Sequence, residues 1–200
     1  MNSNYDKKIV INTNNILKNI NINKKVLSSY KNEETAIIKI NDKSKFSKKT
    51  KINSVEILVL NGTYINEYGK FKKGTYLRLS KEDESLIKTN SKTTIFRKTN
   101  HFKDKSKIII DTNSSQWFDG QGNLKVMPLF DQTALVKWPN NEKFIKHTHW
   151  GGEEIYVLKG TFIDEYGKYE KNTWLRNPHL SQHYPYVKDE TIIFVKTGHL

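Results

Sequence analysis

The amino-acid sequence predicts an all-β protein made of two copies of one unit. Its apolar and aromatic residues fall in runs of about four to ten residues separated by Gly, Asn, Asp or Pro, which is typical of strands and turns. The period of an amphipathic helix is nearly absent. The segment EILVLNGTYINEYGKFKKGTYLR at 56–78 recurs as EIYVLKGTFIDEYGKYEKNTWLR at 154–176. Together these observations predict an all-β sandwich or barrel in each half.

The expected strands can be followed along the second copy. They are TALVKW at 133–138, EIYVLKGTFI at 154–163, NTWLRN at 172–177 and TIIFVKT at 191–197. The second run turns at Gly160, as the two strands of a hairpin would. A short helix is predicted only for ILKNININ at 16–23. The first twenty residues, rich in Asn and Lys, are expected to form a partly disordered extension.

The internal repeat sets the expected domain organisation. Its constant shift of 98 positions also matches TAIIK at 35–39 with TALVK at 133–137. The polar run NHFKDKS at 100–106 marks the boundary between the copies. We therefore predict a first domain over 1–100, with the extension at its start, and a second domain over 101–200.

Composition narrows the function classes. The 200 residues carry a net charge of +13, but the basic residues are nearly all dispersed lysines, which disfavours nucleic acid as a partner. No apolar run approaches the length of a membrane span and no secretory signal is visible, so we expect a cytoplasmic protein without membrane association. The chain has no cysteine, which excludes thiolate nucleophiles and cysteine-ligated zinc. Any metal must therefore be bound by His and carboxylate.

The stretch KHTHWGGEEIYVLKG at 146–160 carries candidate metal ligands. His147 and His149 are two positions apart, so in a strand they share a face and can reach one ion at about 2.0–2.1 Å. A surface pair or a buried hydrogen-bonded pair would have the same spacing. The two glycines at 151–152 permit a tight turn that returns the carboxylate of Glu153 towards the histidines. His183, in SQHYPY, begins a further strand.

This pattern resembles the cupin superfamily. The spacing His147-x-His149, three residues, Glu153, six residues, Gly160 matches the first cupin motif, and His183 occupies the place of the second-motif histidine. The amino-acid sequence from His147 to His183 resembles the cupins related to the metal-binding domain of the anti-sigma factor ChrR. The resemblance covers about 117–197 directly and the first half through the repeat. It implies two tandem jelly-roll (cupin) β-barrels and one divalent metal held by His147, His149, Glu153 and His183.

Two features depart from that family. The second cupin motif normally has a glycine two residues after its proline, where this chain reads Pro178-His179-Leu180. The ChrR-type anti-sigma factors also carry an N-terminal helical zinc domain that uses cysteine, and this sequence shows no counterpart of it. A role in sigma-factor binding is therefore not carried over.

The repeat serves as an internal control for the ligands. At the four ligand positions the first copy has Lys49, Lys51, Val55 and Ser85. Glu154 has an equivalent, Glu56, in that copy, whereas Glu153 corresponds to Val55. We therefore expect Glu153 to bind the metal and Glu154 to be structural. The first barrel is expected to be degenerate and without metal.

Two functions remain open at this stage. The leading hypothesis is a dioxygenase-like protein that acts on a small oxygenated organic substrate at a single metal, with zinc or iron foremost and manganese or nickel also compatible with the ligands. The alternative is a non-enzymatic metal-binding or ligand-sensing module. No catalytic acid or base stands out beyond the ligands, so the sequence leaves enzyme status open. Exposed barrel edges are compatible with a homodimer.

Overall fold

The computed structural model describes residues 2–14, 22–41, 51–83, 87–89 and 91–200. The chain divides into two compact units. The first unit holds Met1–Ser3 and Ile16–Ser115, and the second unit holds Asn4–Asn15 and Gln116–Leu200. Among the described residues, no helix is long and apolar enough to cross a membrane. The helix predicted at 16–23 lies mostly outside the described residues, and its last two positions begin a strand.

Strands make up the regular structure of the described residues. In chain order they are β1 (Ile9–Asn12), β2 (Ile22–Tyr30), β3 (Glu33–Ile40), β4 (Lys51–Ile52), β5 (Val55–Asn61), β6 (Thr63–Asn66), β7 (Gly69–Lys72), β8 (Thr75–Leu79), β9 (Glu82–Asp83), β10 (Lys88–Thr89), β11 (Thr93–Thr99), β12 (Lys107–Asp111), β13 (Phe118–Asp119), β14 (Lys125–Phe130), β15 (Thr133–Trp138), β16 (His147–Thr148), β17 (Glu153–Lys159), β18 (Thr161–Asp164), β19 (Gly167–Glu170), β20 (Thr173–Asn177), β21 (Gln182–His183) and β22 (Thr191–Thr197). The predicted all-β class is thereby confirmed. Closure of each unit into a jelly-roll barrel stays a prediction.

The two units share one sheet topology. The large antiparallel sheet of the first unit has the order β12-β8-β5-β11-β3-β2, and that of the second has the order β1-β20-β17-β22-β15-β14-β13. A shift of 98 positions along the chain carries β8, β5 and β11 onto β20, β17 and β22, and it makes β3 and β2 overlap β15 and β14. The same shift carries β6-β7 onto β18-β19, and the small ladder β4-β9 has its counterpart in β16-β21 with an offset of two residues in each strand. The repeat in the sequence is therefore a repeat of the fold.

The edge strands β1 and β12 each belong to the other unit from the one that the sequence repeat assigns to them. β1 lies at the start of the first repeat, yet it pairs with β20 of the second unit. β12 lies in the predicted second domain, yet it pairs with β8 of the first unit. The two segments have similar sequences, IVINTN at 9–14 and IIIDTN at 108–113. Each unit is thus completed by a strand from the other half of the chain, and the predicted domain limits 1–100 and 101–200 remain a prediction.

Alternation along the central strands builds each core. Ile155 and Val157 of β17 are buried in the core of the second unit, together with Trp138 and Leu175. Their equivalents, Ile57 and Val59 of β5, are buried in the core of the first unit. Side chains two apart in a strand point to the same face. An apolar stripe therefore runs along the inner face of the same strand in both units.

Candidate metal centre

The small ladder between β16 and β21 brings the three predicted histidines together. His147 lies directly opposite His183 in this antiparallel pair. The ladder continues by one step, where the amide of His149 donates to the carbonyl oxygen of Ser181 at 3.0 Å. The three rings offer nitrogen atoms that all lie within 4.8 Å of one another. His149 and His183 are buried, whereas His147 is half-buried.

The two glycines after His149 turn the chain towards β17. Gly151 and Gly152 have φ values of 71° and 68°, in the left-handed region that favours glycine. The amide of Gly152 donates to the carbonyl oxygen of His149 at 3.2 Å, which closes the turn. A Cβ on Gly152 would lie 2.9 Å from the carbonyl oxygen of Asn177, so with its positive φ this position favours glycine. The turn places Glu153 at the first position of β17, beside the histidines.

The structure separates the two adjacent glutamates. Glu153 Oε2 lies 3.4 Å from His149 Nε2 and 3.9 Å from His183 Nε2. Glu154 points elsewhere: its Oε2 lies 3.3 Å from His199 Nε2, and Arg176 is its cross-strand neighbour. Only Glu153 therefore lies beside the cluster. Its assignment as a metal ligand stays a prediction.

Glu153 is buried and accepts a hydrogen bond from a neighbouring side-chain amide. The amide Nδ2 of Asn177 donates to Glu153 Oε2 at 2.9 Å. Burial raises the pKa of Glu153, and His183 and the Asn177 hydrogen bond only partly oppose this. A divalent cation at the histidines would supply the positive charge that favours the ionised carboxylate.

Two of the imidazole rings are oriented by hydrogen bonds at Nδ1. His147 Nδ1 lies 3.0 Å from the carbonyl oxygen of Ile145, and His183 Nδ1 lies 3.2 Å from Asp164 Oδ2. Both partners are acceptors, so they select the tautomer with hydrogen on Nδ1 and leave the Nε2 lone pair available. His183 Nε2 lies 3.0 Å from His149 Nε2. Rings oriented in this way are suited to share one cation.

The cluster also keeps His149 neutral. Burial, followed by the charges of His183, His147 and Lys8, lowers the pKa of His149 to about 3. A neutral imidazole is the form that binds metal. Two donors that bind one ion at about 2.0–2.1 Å can be at most about 4.2 Å apart, a condition that Glu153 meets with both His149 and His183. The chemistry of three imidazoles and one carboxylate suits a divalent transition metal.

Asp164 is the buried partner behind His183. Its Oδ2 accepts from His183 and also from Lys8 Nζ at 2.9 Å, and its Oδ1 accepts from the hydroxyl of Tyr169 at 2.7 Å. Burial acts to raise the pKa of Asp164, but the hydrogen bonds from His183, Lys8 and Tyr169 outweigh it and hold the pKa below its usual value. Asp164 is therefore an ionised acceptor that fixes the ring of His183.

Aromatic side chains surround the inner side of the cluster. Phe144 makes an edge contact with His147 at 5.1 Å between centroids, and the ring of Phe162 lies 6.1 Å from that of His183. Trp138 packs against both phenylalanines. This apolar wall excludes water from one side of the imidazoles and strengthens charge interactions there.

Sequence reasoning missed the three residues that support the ligands. Asn177, Asp164 and Tyr169 correspond to Leu79, Asn66 and Phe71 in the first copy. Each of these positions changes together with the ligands, so the comparison that separated Glu153 from Glu154 carried the signal for them as well. His179, whose role the sequence left open, accepts from the amide of Gly151 at 2.8 Å through Nδ1.

Comparison with known proteins agrees with this fold. The family model described as ChrR Cupin-like domain matches residues 14–103 and again 105–200. No curated protein sequence matches the chain. Among solved structures, a candidate dioxygenase of Nostoc punctiforme has a TM-score of 0.77 at 12% identity, with 96% of this chain and 82% of that chain covered.

Two further structures share the architecture. The bacterial pirin YhhW from Escherichia coli in complex with nickel(II) has a TM-score of 0.66 at 12% identity, with 97% of this chain and 100% of that chain covered. A cupin 2 conserved barrel domain protein from Leptotrichia buccalis has a TM-score of 0.61 at 10% identity, with 94% of this chain and 96% of that chain covered. At these identities the likeness shows the fold alone.

Proposed function

Because the chain belongs to the ChrR cupin-like family, we propose that it binds one divalent metal in its second unit and acts there on a small oxygenated organic molecule in the manner of a dioxygenase. The observation that carries this proposal is the convergence of three histidine nitrogens within 4.8 Å. His147, His149 and His183 would hold the metal, with Glu153 as the fourth ligand. The candidate dioxygenase and the nickel-bound pirin among the structural neighbours support the same class.

The residues around the site each have a definite role in this proposal. Held by His147, His149, His183 and Glu153, a redox-active metal such as iron would supply the chemistry for dioxygen. Asp164 and the carbonyl of Ile145 orient the rings of His183 and His147. Phe144 and Phe162 keep water from the inner side. The half-buried His147 marks the side from which a small molecule would approach.

A metal-dependent sensor without turnover is the second candidate. Two of the three histidines and Glu153 are at most 6% exposed, so a metal held there would be largely enclosed. An enclosed four-ligand zinc site stabilises a fold without catalysis. The same residues would then bind the metal but leave no position for a substrate.

Metal analysis of the purified protein followed by oxygen-uptake assays separates these functions. We expect one metal per chain, and oxygen uptake by the iron-loaded protein with diketones or related enolisable compounds. One tightly held zinc with no oxygen uptake on any such compound would favour the sensor. Two metals per chain would contradict the assignment of a single centre.

A further inference from the structure

Lys8 links the N-terminal segment to the metal centre. Its Nζ lies 2.9 Å from Asp164 Oδ2, the same oxygen that accepts from His183 Nδ1 at 3.2 Å. The side chain of Asp164 is fully buried, whereas that of Lys8 is 26% exposed. A buried carboxylate is held in one orientation by the donors that satisfy its oxygens. Lys8 supplies one of these donors from a segment more than 150 positions away in the chain.

The N-terminal segment is held against the second unit at several points. We call residues 4–14 the arm. Within it, β1 pairs with β20 over four residues, and the amide of Thr13 donates to the carbonyl oxygen of Asn172 at 2.9 Å. Arg176 donates to the carbonyl oxygen of Asn4 at 2.7 Å. Docking of the arm therefore places Lys8 next to Asp164.

The first unit has an equivalent segment, residues 103–113, which contains β12 and which we call the second arm. Lys107, the first residue of β12, lies over the ring of Tyr68 at 4.7 Å, as Lys8 lies over the ring of Tyr166 at 4.2 Å. In the first unit, however, Asn66 takes the place of Asp164 and donates to Glu82 Oε1 at 3.0 Å. The lysine and tyrosine contact is thus common to both arms, and the lysine and aspartate contact is particular to the unit with the histidines.

We propose that the arm is a metal-responsive element in which Lys8 is a positioning residue that couples docking of β1 to occupancy of the metal centre through Asp164 and His183. This inference rests on the proposed metal site. When the arm is docked, Lys8 and His183 share Asp164 Oδ2, so the carboxylate is held where it accepts from His183 Nδ1 and Nε2 of that ring faces the other histidines. Since coupling between two binding events is reciprocal, metal binding holds the arm on the sheet by the same factor. Docking of the arm on β20 thereby depends on whether the metal centre is occupied.

Metal affinity of matched variants tests the coupling. Zn²⁺ is titrated into the metal-free protein against a chelator of known affinity. Asp164→Asn should weaken Zn²⁺ binding about 10–100-fold, as loss of an outer hydrogen-bond partner does. Lys8→Met should weaken it at least about fivefold, the low end of ordinary coupling between sites. Lys8→Arg should restore the affinity, and Lys107→Met, the matched change in the first unit, should leave it unchanged.

A double variant distinguishes positioning from a general loss of stability. If Lys8 acts through Asp164, Lys8→Met should add no further loss of Zn²⁺ affinity in the Asp164→Asn background. Additive losses of affinity would mean that Lys8 acts by another route and would overturn the proposal.

Amide hydrogen exchange provides the reciprocal measurement in the unmodified protein. Zn²⁺ should slow exchange in the peptide that contains β1 by at least about fivefold and leave the peptide that contains β12 unchanged. Equal exchange of β1 with and without Zn²⁺, in a protein that binds Zn²⁺, would overturn the coupling alone. Failure of the unmodified protein to bind Zn²⁺, Ni²⁺, Mn²⁺ or Fe²⁺ would overturn the proposed function itself.

Discussion

The two units carry opposite kinds of residue pair at the same position of their large sheets. In the first unit Val55 of β5 lies opposite Leu79 of β8, and both are fully buried. In the second unit Glu153 of β17 lies opposite Asn177 of β20, and the two are joined by a hydrogen bond of 2.9 Å. The same two facing positions thus accept either an apolar pair or a polar pair. The apolar pair buries no polar group, and the polar pair forms its own hydrogen bond. Residues at the candidate metal centre can therefore be exchanged without changing the fold.

A neighbouring pair shows the converse. Glu154 lies opposite Arg176 in the second unit, and Glu56 lies opposite Arg78 in the first. Both arginines are buried, and each also holds an arm: Arg78 donates to Asp104 at 2.7 Å, as Arg176 does to Asn4. The sequence predicted a structural role for Glu154, and its position opposite Arg176 agrees with that role. Pairs that serve the fold are kept in both units.

Removal of a histidine from the second unit should have the largest effect on metal binding. His183→Ala should abolish metal binding by the second unit, a loss beyond the roughly 10–100-fold that removal of an outer partner causes. Isothermal titration with Zn²⁺ measures the loss. His199→Ala, which removes a histidine outside the cluster, serves as the control and should retain the metal. Unchanged binding by His183→Ala would show that the metal lies elsewhere.

The two adjacent glutamates should respond differently to the same change. Glu153→Gln removes the carboxylate beside His149 and should weaken metal binding about tenfold or more. Glu154→Gln should leave the metal affinity unchanged and lower the free energy of unfolding by about 1–3 kcal/mol, because Arg176 loses a charged neighbour. Chelator competition and urea unfolding measure the two effects. Metal loss from Glu154→Gln alone would reverse the ligand assignment.

Conversion of the polar pair into its apolar counterpart should separate stability from function. Asn177→Leu leaves the buried Glu153 without its donor and should lower the free energy of unfolding of the metal-free protein by about 1–3 kcal/mol. The double variant Glu153→Val, Asn177→Leu copies the first unit and should recover most of that loss while binding metal poorly. Urea unfolding of both variants gives the comparison. A double variant less stable than the single one would show that the sites differ in more than these two side chains.

Removal of one hydroxyl should have the smallest effect. Tyr169→Phe copies Phe71 of the first unit and removes the hydrogen bond to Asp164 Oδ1, at a cost of about 1 kcal/mol in stability and a few-fold in metal affinity. Tyr76→Phe is the matched control, since the hydroxyl of Tyr76 donates to Glu56 at 2.5 Å in the first unit. That variant should lose stability but no metal affinity. Equal metal affinity in both variants would exclude Tyr169 from the centre.

Much of the fold could be predicted because the information is local. Strand periodicity and the 98-residue repeat lie within short windows of sequence, and they predicted an all-β protein of two similar units. The ligand spacing of His147, His149 and Glu153 is also local, since one strand and one glycine turn bring these residues together. Asp164, Tyr169 and Asn177 were equally accessible through the repeat, because their equivalents Asn66, Phe71 and Leu79 differ from them in charge or in polar side-chain groups.

The sequence by itself determined the repeated all-β architecture, the single histidine cluster and the distinction between Glu153 and Glu154. Only the tertiary structure decided which sheet each arm completes and that Lys8 meets Asp164. The alternation of apolar residues shows that a segment is a strand but not which edge it joins, because any exposed sheet edge offers the same backbone hydrogen bonds. The choice of edge depends on contacts between residues far apart in the chain, such as those of Lys8 with Asp164 and of Arg176 with Asn4.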